Sequence, residues 1–184
     1  MGFHENKMPN LKHFDGFGTI RFVTFSCHKR LPLLVDEKDI LIFLNYLSEI
    51  KDKYEIKLFS YVIMPEHIHL VMLPKDTDKL GLIIGKLKSL SAREILGRWQ
   101  SINHSILGDL RVLRDGMSKH AFWQKRCFDF NCRTRESAIE KINYCHKNPV
   151  TRGLVKNPED WRWSSYKWYL NKKPGIIEID ILEV

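Results

Sequence analysis

The apolar positions along this chain follow two different periods, which predict strands and helices in succession. Short apolar runs rich in β-branched and aromatic side chains are typical of strands. Such runs occur at residues 20–26, 57–63 and 67–73. Residues 37–53 repeat apolar side chains at helical spacing behind Asp36, which predicts a capped amphipathic helix. A second amphipathic helix is predicted from residue 77 or 78 to about residue 99.

The middle of the chain is less regular and leaves more than one interpretation open. Residues 100–120 have mixed polarity and two glycines, and we predict a loop with a short helix around residues 106–114. Residues 121–132 are aromatic and basic. They fit either an edge strand packed on the core or a platform on which nucleic-acid bases stack beside phosphate-binding charges.

Length and composition predict one globular domain over residues 1–184. The chain is 43% apolar, which is enough for a sizeable core. Within this domain we expect a flexible arm at residues 1–15, a possible insertion loop at residues 100–120 and a tail block at residues 156–184. No run approaches the roughly 20 apolar residues of a membrane span, and the N-terminus lacks a signal-peptide pattern. The four cysteines suggest no disulfide framework, so we expect a cytoplasmic protein with no membrane partner.

The net charge of the chain indicates what kind of molecule it binds. A net charge of +8 suggests a polyanion, most simply nucleic acid, although a merely basic soluble protein would share it. The basic face of the second helix could be solvated or could contact phosphates. Our candidate DNA contacts are the cations Lys12, Arg21, Lys29, Arg30, Lys86, Lys88, Arg93, Lys125, Arg126 and Arg152.

Two histidines in the third predicted strand are the first candidates for chemistry. Side chains alternate along a strand, so His67 and His69 share a face, with Cα atoms roughly 6.6 Å apart. Both rings could then converge on one metal ion. The alternative is that one histidine packs in the core while the other is solvated.

A tyrosine on a later helix is the second candidate. Thr134 is placed to cap a helix from residue 135 to about residue 148, where Pro149 is expected to end it. Tyr144 falls away from the apolar stripe of this helix, and Asn148 follows one turn later on nearly the same face. An exposed tyrosine and a helix-terminal asparagine would be the simpler account.

Together these residues indicate metal-assisted phosphodiester chemistry. A phenol is a weak nucleophile at neutral pH, because the ordinary pKa of tyrosine is about 10. A divalent ion on the scissile phosphate would neutralise charge and act as a Lewis acid. Two imidazoles and one amide oxygen would form a neutral site with open positions, which suits Mg²⁺ or Mn²⁺.

Ordered motifs in the chain resemble the HUH single-strand endonucleases that have one catalytic tyrosine. The similarity is greatest to small insertion-sequence transposases and, among them, to the REP-associated tyrosine transposases. MPEHIHLV at residues 64–71 resembles the two-histidine strand of the family, and YCHKNPV at residues 144–150 with RGLV at 152–155 resembles its tyrosine helix. WRWSSY at residues 161–166 resembles the tail of the REP-associated branch.

This resemblance implies a fold, a site and a substrate. The implied fold is an α/β (α+β) ferredoxin-like sandwich, with helices packed on an antiparallel central sheet. By the same resemblance, His67, His69 and Asn148 would bind a divalent ion, Mg²⁺ or Mn²⁺. Tyr144 would be the nucleophile that becomes linked to a 5′-phosphate. The implied substrate is single-stranded DNA, often a hairpin, which for the REP-associated branch is a repetitive extragenic palindrome.

One departure and two competing functions accompany the resemblance. Glu66 stands where many relatives have asparagine, and it could alter the turn or add a carboxylate near the metal. One alternative is a catalytically silent hairpin-binding protein, such as a repressor or architectural factor. Another is a metallohydrolase that uses water instead of Tyr144. We expect a monomer, with a homodimer as the alternative.

Overall fold

The computed structural model describes residues 19–172 and 175–182, so the predicted arm at residues 1–15 and its Lys12 lie outside the described residues. The strands in these ranges are β1 (Ile20–Ser26), β2 (Lys57–Ile63), β3 (His67–Leu73), β4 (Arg111–Arg114), β5 (Met117–His120) and β6 (Phe128–Cys132). The helices are α1 (Glu37–Lys53), α2 (Leu80–Ser101), α3 (Arg135–Thr151) and α4 (Tyr166–Asn171). The strands predicted at residues 20–26, 57–63 and 67–73 and the first two predicted helices are confirmed.

The central sheet is antiparallel and has the strand order β2-β3-β1-β6. Helices α1 and α2 cover one face, where Ile68, Leu70 and Met72 of β3 join the larger apolar core. Helix α3 covers the other face, where Val71 packs in a second core with Ile142. Strands β2 and β3 are nearly continuous apolar runs because both of their faces are covered. This arrangement confirms the predicted ferredoxin-like sandwich.

Helix α3 continues beyond the residue at which we predicted its end. It runs through Pro149 to Thr151, so the expected end at about residue 148 was wrong. The proline lies in the last turn, where the chain is already leaving the helix. The N–H of Arg152 donates to the carbonyl of Asn148 at 3.0 Å, and that of Leu154 donates to Pro149 at 2.9 Å. Gly153 adopts the positive φ that commonly ends a helix.

The predicted short helix around residues 106–114 is absent from the described chain. A 3-10 turn at Ser105–Gly108 is followed by the antiparallel pair β4 and β5, which form a two-stranded sheet of their own. Asp115 and Gly116 join these strands, and both have positive φ. An Asp-Gly pair with this backbone forms the tight turn that favours a β-hairpin over a helix.

The aromatic segment at residues 121–132 divides between the two interpretations that the sequence left open. Phe122 and Trp123 are buried in the larger core. Phe128 and Phe130 lie on β6, which pairs with β1 at the edge of the sheet, and their rings are exposed. The first part of the segment is therefore core, while the edge strand presents aromatic rings to solvent.

The tail block packs along β2, the other edge of the sheet. The backbone N–H of Ser165 donates to the carbonyl of Tyr61 at 3.0 Å, and that of Asp180 donates to Leu58 at 2.9 Å. These contacts cover a strand edge that would otherwise be open to pairing. No helix within residues 19–172 and 175–182 has the length and apolarity to cross a membrane. The division of the whole chain into one domain stays a prediction.

Candidate active site

The two histidines of β3 lie on the face of the sheet that α3 covers. Both side chains are buried, and their Nε2 atoms are 3.0 Å apart. The intervening Ile68 points into the opposite core, as the alternation along a strand requires. The structure therefore brings His67 and His69 to one point, in agreement with the predicted shared face.

The other ring nitrogen of each histidine has an oxygen neighbour. Oγ1 of Thr24 lies 2.6 Å from Nδ1 of His69, because the register of β1 against β3 places these two residues opposite each other. Oε1 of Glu66 lies 3.1 Å from Nδ1 of His67, within ion-pair distance although outside hydrogen-bond geometry. A proton held on each Nδ1 by these oxygens leaves the Nε2 lone pairs free, which is how proteins orient imidazole ligands.

Burial keeps both imidazoles neutral at physiological pH. Desolvation is the largest cause, and together with the smaller effects of His67 and Arg30 it lowers the pKa of His69 to about 3. Desolvation also lowers the pKa of His67, against the opposing effect of the Glu66 carboxylate. The neutral imidazole is the form that binds a metal ion.

Asn148 reaches the same point from α3. Its side chain is buried, and Nδ2 lies 3.1 Å from Nε2 of His69. Oδ1 has no hydrogen-bond partner among the described residues. A buried amide oxygen without a partner is unfavourable, and a rotation of the amide by half a turn would direct it towards the two imidazoles. A cation at this point would satisfy that oxygen, so the residues fit a divalent metal ion.

The amide is needed to complete such a set. No group of three or more histidine, cysteine, aspartate or glutamate side chains within residues 19–172 and 175–182 has the geometry to hold a metal. The available donors are therefore two imidazole nitrogens and one amide oxygen. They leave coordination positions open for phosphate oxygens or water.

Tyr144 lies one helical turn before Asn148 and borders the histidine pair. Its side chain is half exposed, and its ring centroid is 5.3 Å from that of His69. Phe22 fixes this arrangement, because it stacks on His69 at 5.3 Å and meets the edge of the Tyr144 ring at 5.8 Å. The phenol and the imidazoles therefore belong to one cleft of a single chain. This cleft has a volume of about 380 Å³ and is lined by Phe22, Thr24, Arg30, His67, His69, Phe128, Lys141 and Tyr144.

The buried carboxylate of Glu66 links the cleft to two of the predicted DNA contacts. Its Oε1 accepts a hydrogen bond from Arg152 at 3.0 Å and lies 3.7 Å from the guanidinium of Arg30. Two cations therefore share one carboxylate with His67, and both arginines keep more than half of their side-chain surface exposed. The Glu66 carboxylate thus lies beside His67, one of the two candidate imidazole ligands, and its effect on a bound metal stays a prediction.

The remaining predicted DNA contacts lie in different environments. Arg21 is engaged by Asp129 across the β1–β6 pair, and Lys88 donates to the carbonyls of Gln124 and Lys125 at 2.7 and 3.2 Å. Both side chains therefore contribute to the fold. Exposed positions on the turn after β1, on α2 and before β6 hold Lys29, Lys86, Arg93, Lys125 and Arg126.

Sequence reasoning missed three residues that line the cleft. Thr24 and Phe22 become neighbours of His69 only through strand register, which the sequence does not show. Lys141 had a readable signal, because it lies one turn before Tyr144 on the same helix. Its ammonium lies 5.0 Å from the ring centroid of Phe130 and 5.8 Å from that of Phe22.

Comparison with known proteins connects this geometry to a family. Residues 19–148, a span that includes all four candidate residues, match the family model described as "Transposase IS200 like". The REP-associated tyrosine transposase of Escherichia coli K12 is 22% identical over 150 residues, which cover 81% of this chain and 76% of that protein. A Haemophilus influenzae protein provisionally assigned to the REP-associated tyrosine transposases is 25% identical over 130 residues, 66% of this chain and 69% of its own.

A solved structure shares the fold. It shows a REP-associated tyrosine transposase bound to a REP hairpin, and it aligns with a TM-score of 0.63 and 18% identity. The alignment covers 96% of this chain and 94% of that chain. The family and the enzyme class predicted from the histidine and tyrosine motifs are confirmed. This chain belongs to the IS200-like transposase family.

Proposed function

We propose that this protein is a metal-dependent endonuclease and strand transferase for single-stranded DNA. It nicks and rejoins hairpin or REP-like palindromic DNA through a covalent 5′-phosphotyrosine at Tyr144. The observation that carries this proposal is that His67, Asn148 and Tyr144 all contact His69. The buried histidine pair alone could be explained by core packing, and Tyr144 alone could be an ordinary solvent-exposed residue.

Three residues hold the metal ion in this proposal. The Nε2 atoms of His67 and His69 and Oδ1 of Asn148 are the donors, while Thr24 and Glu66 orient the imidazoles. When bound, Mg²⁺ or Mn²⁺ would neutralise charge on the scissile phosphate and polarise phosphorus. Because these donors are neutral, a bound divalent ion would keep its positive charge, which would favour an anionic substrate.

The reaction exchanges one phosphodiester for another. Oη of Tyr144 forms a bond to phosphorus while the bond between phosphorus and the 3′ oxygen breaks. The phenol loses its proton and the departing oxygen gains one, so the nicked strand ends in a 3′-hydroxyl. Rejoining is the reverse step, in which a 3′-hydroxyl attacks the phosphotyrosine and the phenol departs. The energy of the phosphodiester is retained throughout, so no ATP is needed.

The surroundings of the cleft support a nucleic-acid substrate. Arg30 and Lys141 supply cations for the phosphates, and the exposed ring of Phe128 offers a surface on which a base can stack. A transposase with the same fold was solved bound to a REP hairpin. The net charge of +8 agrees with such a polyanionic substrate.

A monomer is the form that the geometry favours. One chain brings the tyrosine and the amide into contact with the imidazole pair, so no second protomer is needed to complete the set. We retain the cytoplasm as the proposed location, since single-stranded DNA is available there.

The test is formation of a covalent protein–DNA adduct. Purified protein is incubated with a labelled hairpin oligonucleotide that carries single-stranded flanks, in Mg²⁺ or Mn²⁺, and resolved on a denaturing gel. We expect an adduct that disappears with EDTA and in Tyr144→Phe. Hairpin affinity, measured separately by fluorescence anisotropy, should be retained in that variant.

The matched control is Tyr54→Phe, which removes a hydroxyl at the end of α1 on the opposite face of the sheet. This variant should form the adduct at the wild-type rate. Cleavage by Tyr144→Phe would contradict the proposed nucleophile and would favour a water-dependent hydrolase. Tight hairpin binding with no adduct from any strand would favour a catalytically silent binding protein.

A further inference from the structure

We propose that the β4–β5 ribbon, residues 111–120, contacts the base-paired stem of a hairpin substrate while the cleft holds the single strand. This inference rests on the proposed function, and it assigns stem recognition to a segment that the catalytic arrangement does not use. The ribbon pairs with no other strand in the described chain, since β4 and β5 form a sheet of their own.

The base of the ribbon is fixed to the core and its end is solvated. Leu110 is completely buried, and its carbonyl accepts a hydrogen bond from Ala121 at 2.9 Å. Phe122 follows directly in the larger core. From this base the strands extend to a tight turn at Asp115 and Gly116. A firmly attached ribbon with a defined turn can present side chains in a fixed register.

The side chains on the ribbon are unusual for a merely structural element. Leu113 is 79% exposed and Met117 is 56% exposed, although their apolar surface would favour burial. Arg111, Arg114 and Lys119 are also exposed, and none of them has an ion pair within residues 19–172 and 175–182. Asp115 supplies the single carboxylate between residues 111 and 120. The ribbon therefore combines unpaired cations with accessible apolar groups.

The ribbon is connected to the catalytic cleft through a basic turn. The backbone N–H of His28 donates to the carbonyl of Phe122 at 2.7 Å, next to the base of the ribbon. Arg114 is close enough that its charge contributes, after burial and Lys29, to the lowered pKa of His28. Arg30, at the other end of this turn, lines the cleft. Cations therefore lie both at the cleft, as Arg30, and near His28 beside the base of the ribbon, as Lys29 and Arg114.

A DNA duplex is the occupant that these properties fit. The major groove is wide enough to admit a two-stranded β-ribbon, and apolar side chains can contact thymine methyl groups there. Cations on such a ribbon meet the flanking phosphates. The cleft requires a flexible single strand, whereas the stem of the same DNA hairpin must continue along the adjacent protein surface. The base of the ribbon is hydrogen-bonded to the turn that brings Arg30 to the cleft, and the ribbon offers complementary charge to that stem.

The test compares binding of three DNAs by variants of the full chain. The DNAs are a hairpin with its single-stranded flank, the flank alone and the stem alone. Two variants alter the ribbon: Arg111→Gln/Arg114→Gln/Lys119→Gln removes the charges, and Leu113→Ser/Met117→Ser removes the apolar groups. The matched control, Lys38→Gln/Lys53→Gln/Lys89→Gln, removes three exposed lysines of α1 and α2, which lie outside the ribbon. Circular dichroism and thermal unfolding establish that each variant is folded.

We expect the triple ribbon variant to lose about tenfold or more in affinity for both DNAs that contain the stem, and less than about twofold for the flank. For the stem, the slope of log affinity against log salt concentration should become shallower by about three. The reason is that each lost phosphate contact no longer releases about 0.9 counterion. The apolar variant should also bind the stem more weakly, with an unchanged salt dependence. The control should bind all three DNAs like the wild type.

Three results would overturn the inference. Equal losses in the ribbon and control variants would mean that only the overall charge matters. An equal loss for the flank alone would mean that the ribbon holds the single strand. The wild type could also be a dimer that becomes monomeric in Leu113→Ser/Met117→Ser while stem affinity stays unchanged. That result would make the ribbon a contact between two copies of the chain. Adduct formation by the wild type tests the proposed function independently, because stem affinity is measured without cleavage.

Discussion

The side-chain amide of Asn148 lies 3.1 Å from Nε2 of His69, although the two residues are 79 positions apart in the chain. This contact joins helix α3 to the central strand β3. It also turns two imidazoles on a strand into a potential three-donor set. The amide is unusual because its buried Oδ1 has no hydrogen-bond partner among the described residues, which is energetically unfavourable.

Asn148→Ala should weaken Mn²⁺ binding by at least about tenfold, because it removes one of the three proposed donors. Changes to groups that merely orient a ligand already cost about 10- to 100-fold in many sites. Isothermal titration with Mn²⁺ measures the effect. Asn143→Ala is the control, since Asn143 is an exposed asparagine on the same helix. Wild-type metal affinity in Asn148→Ala would exclude the amide as a ligand.

Glu66→Gln should also weaken metal binding, by about tenfold, without removing a proposed ligand. The carboxylate lies 3.1 Å from Nδ1 of His67, and its charge favours a proton on that nitrogen. The amide keeps the volume but loses the charge. Mn²⁺ titration of Glu66→Gln and of Glu66→Asp measures the effect, and partial recovery in the aspartate variant is expected. Glu55→Gln, at an exposed position, serves as the control, and an unchanged affinity in Glu66→Gln would show that His67 needs no such neighbour.

Lys141→Met should slow adduct formation by about 10- to 100-fold while Mn²⁺ affinity stays unchanged. The ammonium of Lys141 lines the cleft beside Tyr144, where it can stabilise negative charge that develops on the phosphate. Single-turnover cleavage kinetics at saturating DNA provide the measurement. Lys147→Met, at an exposed position of the same helix, should behave like the wild type. Equal rates for the two variants would remove Lys141 from the reaction.

His146→Gln should reduce the acid sensitivity of the fold. Burial lowers the pKa of His146 to about 4, so the folded protein keeps this ring neutral while the unfolded chain takes up a proton near pH 6.5. The unfolded state binds more protons between these values, and the free energy of unfolding must decrease as the pH falls through them. The contribution of this histidine between pH 7 and pH 4 is about 3 kcal/mol.

Urea unfolding in EDTA at pH 7 and pH 4 measures this dependence. Glutamine preserves hydrogen bonding to Ser60 and Ser165, whose hydroxyls lie 3.2 and 2.8 Å from Nε2 of His146. His120→Gln, at a half-exposed position, should retain the wild-type decrease. An identical pH dependence in His146→Gln and the wild type would mean that the pKa of His146 is the same in the folded and unfolded states.

Several features of the fold were readable from local pattern alone. Apolar periodicity is a direct consequence of which side chains face the core, so it predicted β1, α1, β2, β3 and α2 close to their observed bounds. The Asp115–Gly116 pair was equally local, but mixed polarity around it concealed the ribbon and led to a wrong prediction of a helix. Pro149 led to a different error, the prediction that α3 ends at about residue 148. A proline in the final turn removes one backbone hydrogen bond, and the helix continues to Thr151 without it.

The sequence by itself determined the parts of the site that lie within single elements. Alternation along β3 puts His67 beside His69, and helical periodicity puts Tyr144 one turn before Asn148. Only the tertiary structure decided that both members of the second pair contact His69, that Thr24 faces His69 and that Glu66 lies beside His67. Strand register and helix packing are set by the summed burial of many distant side chains, and no short motif contains that sum.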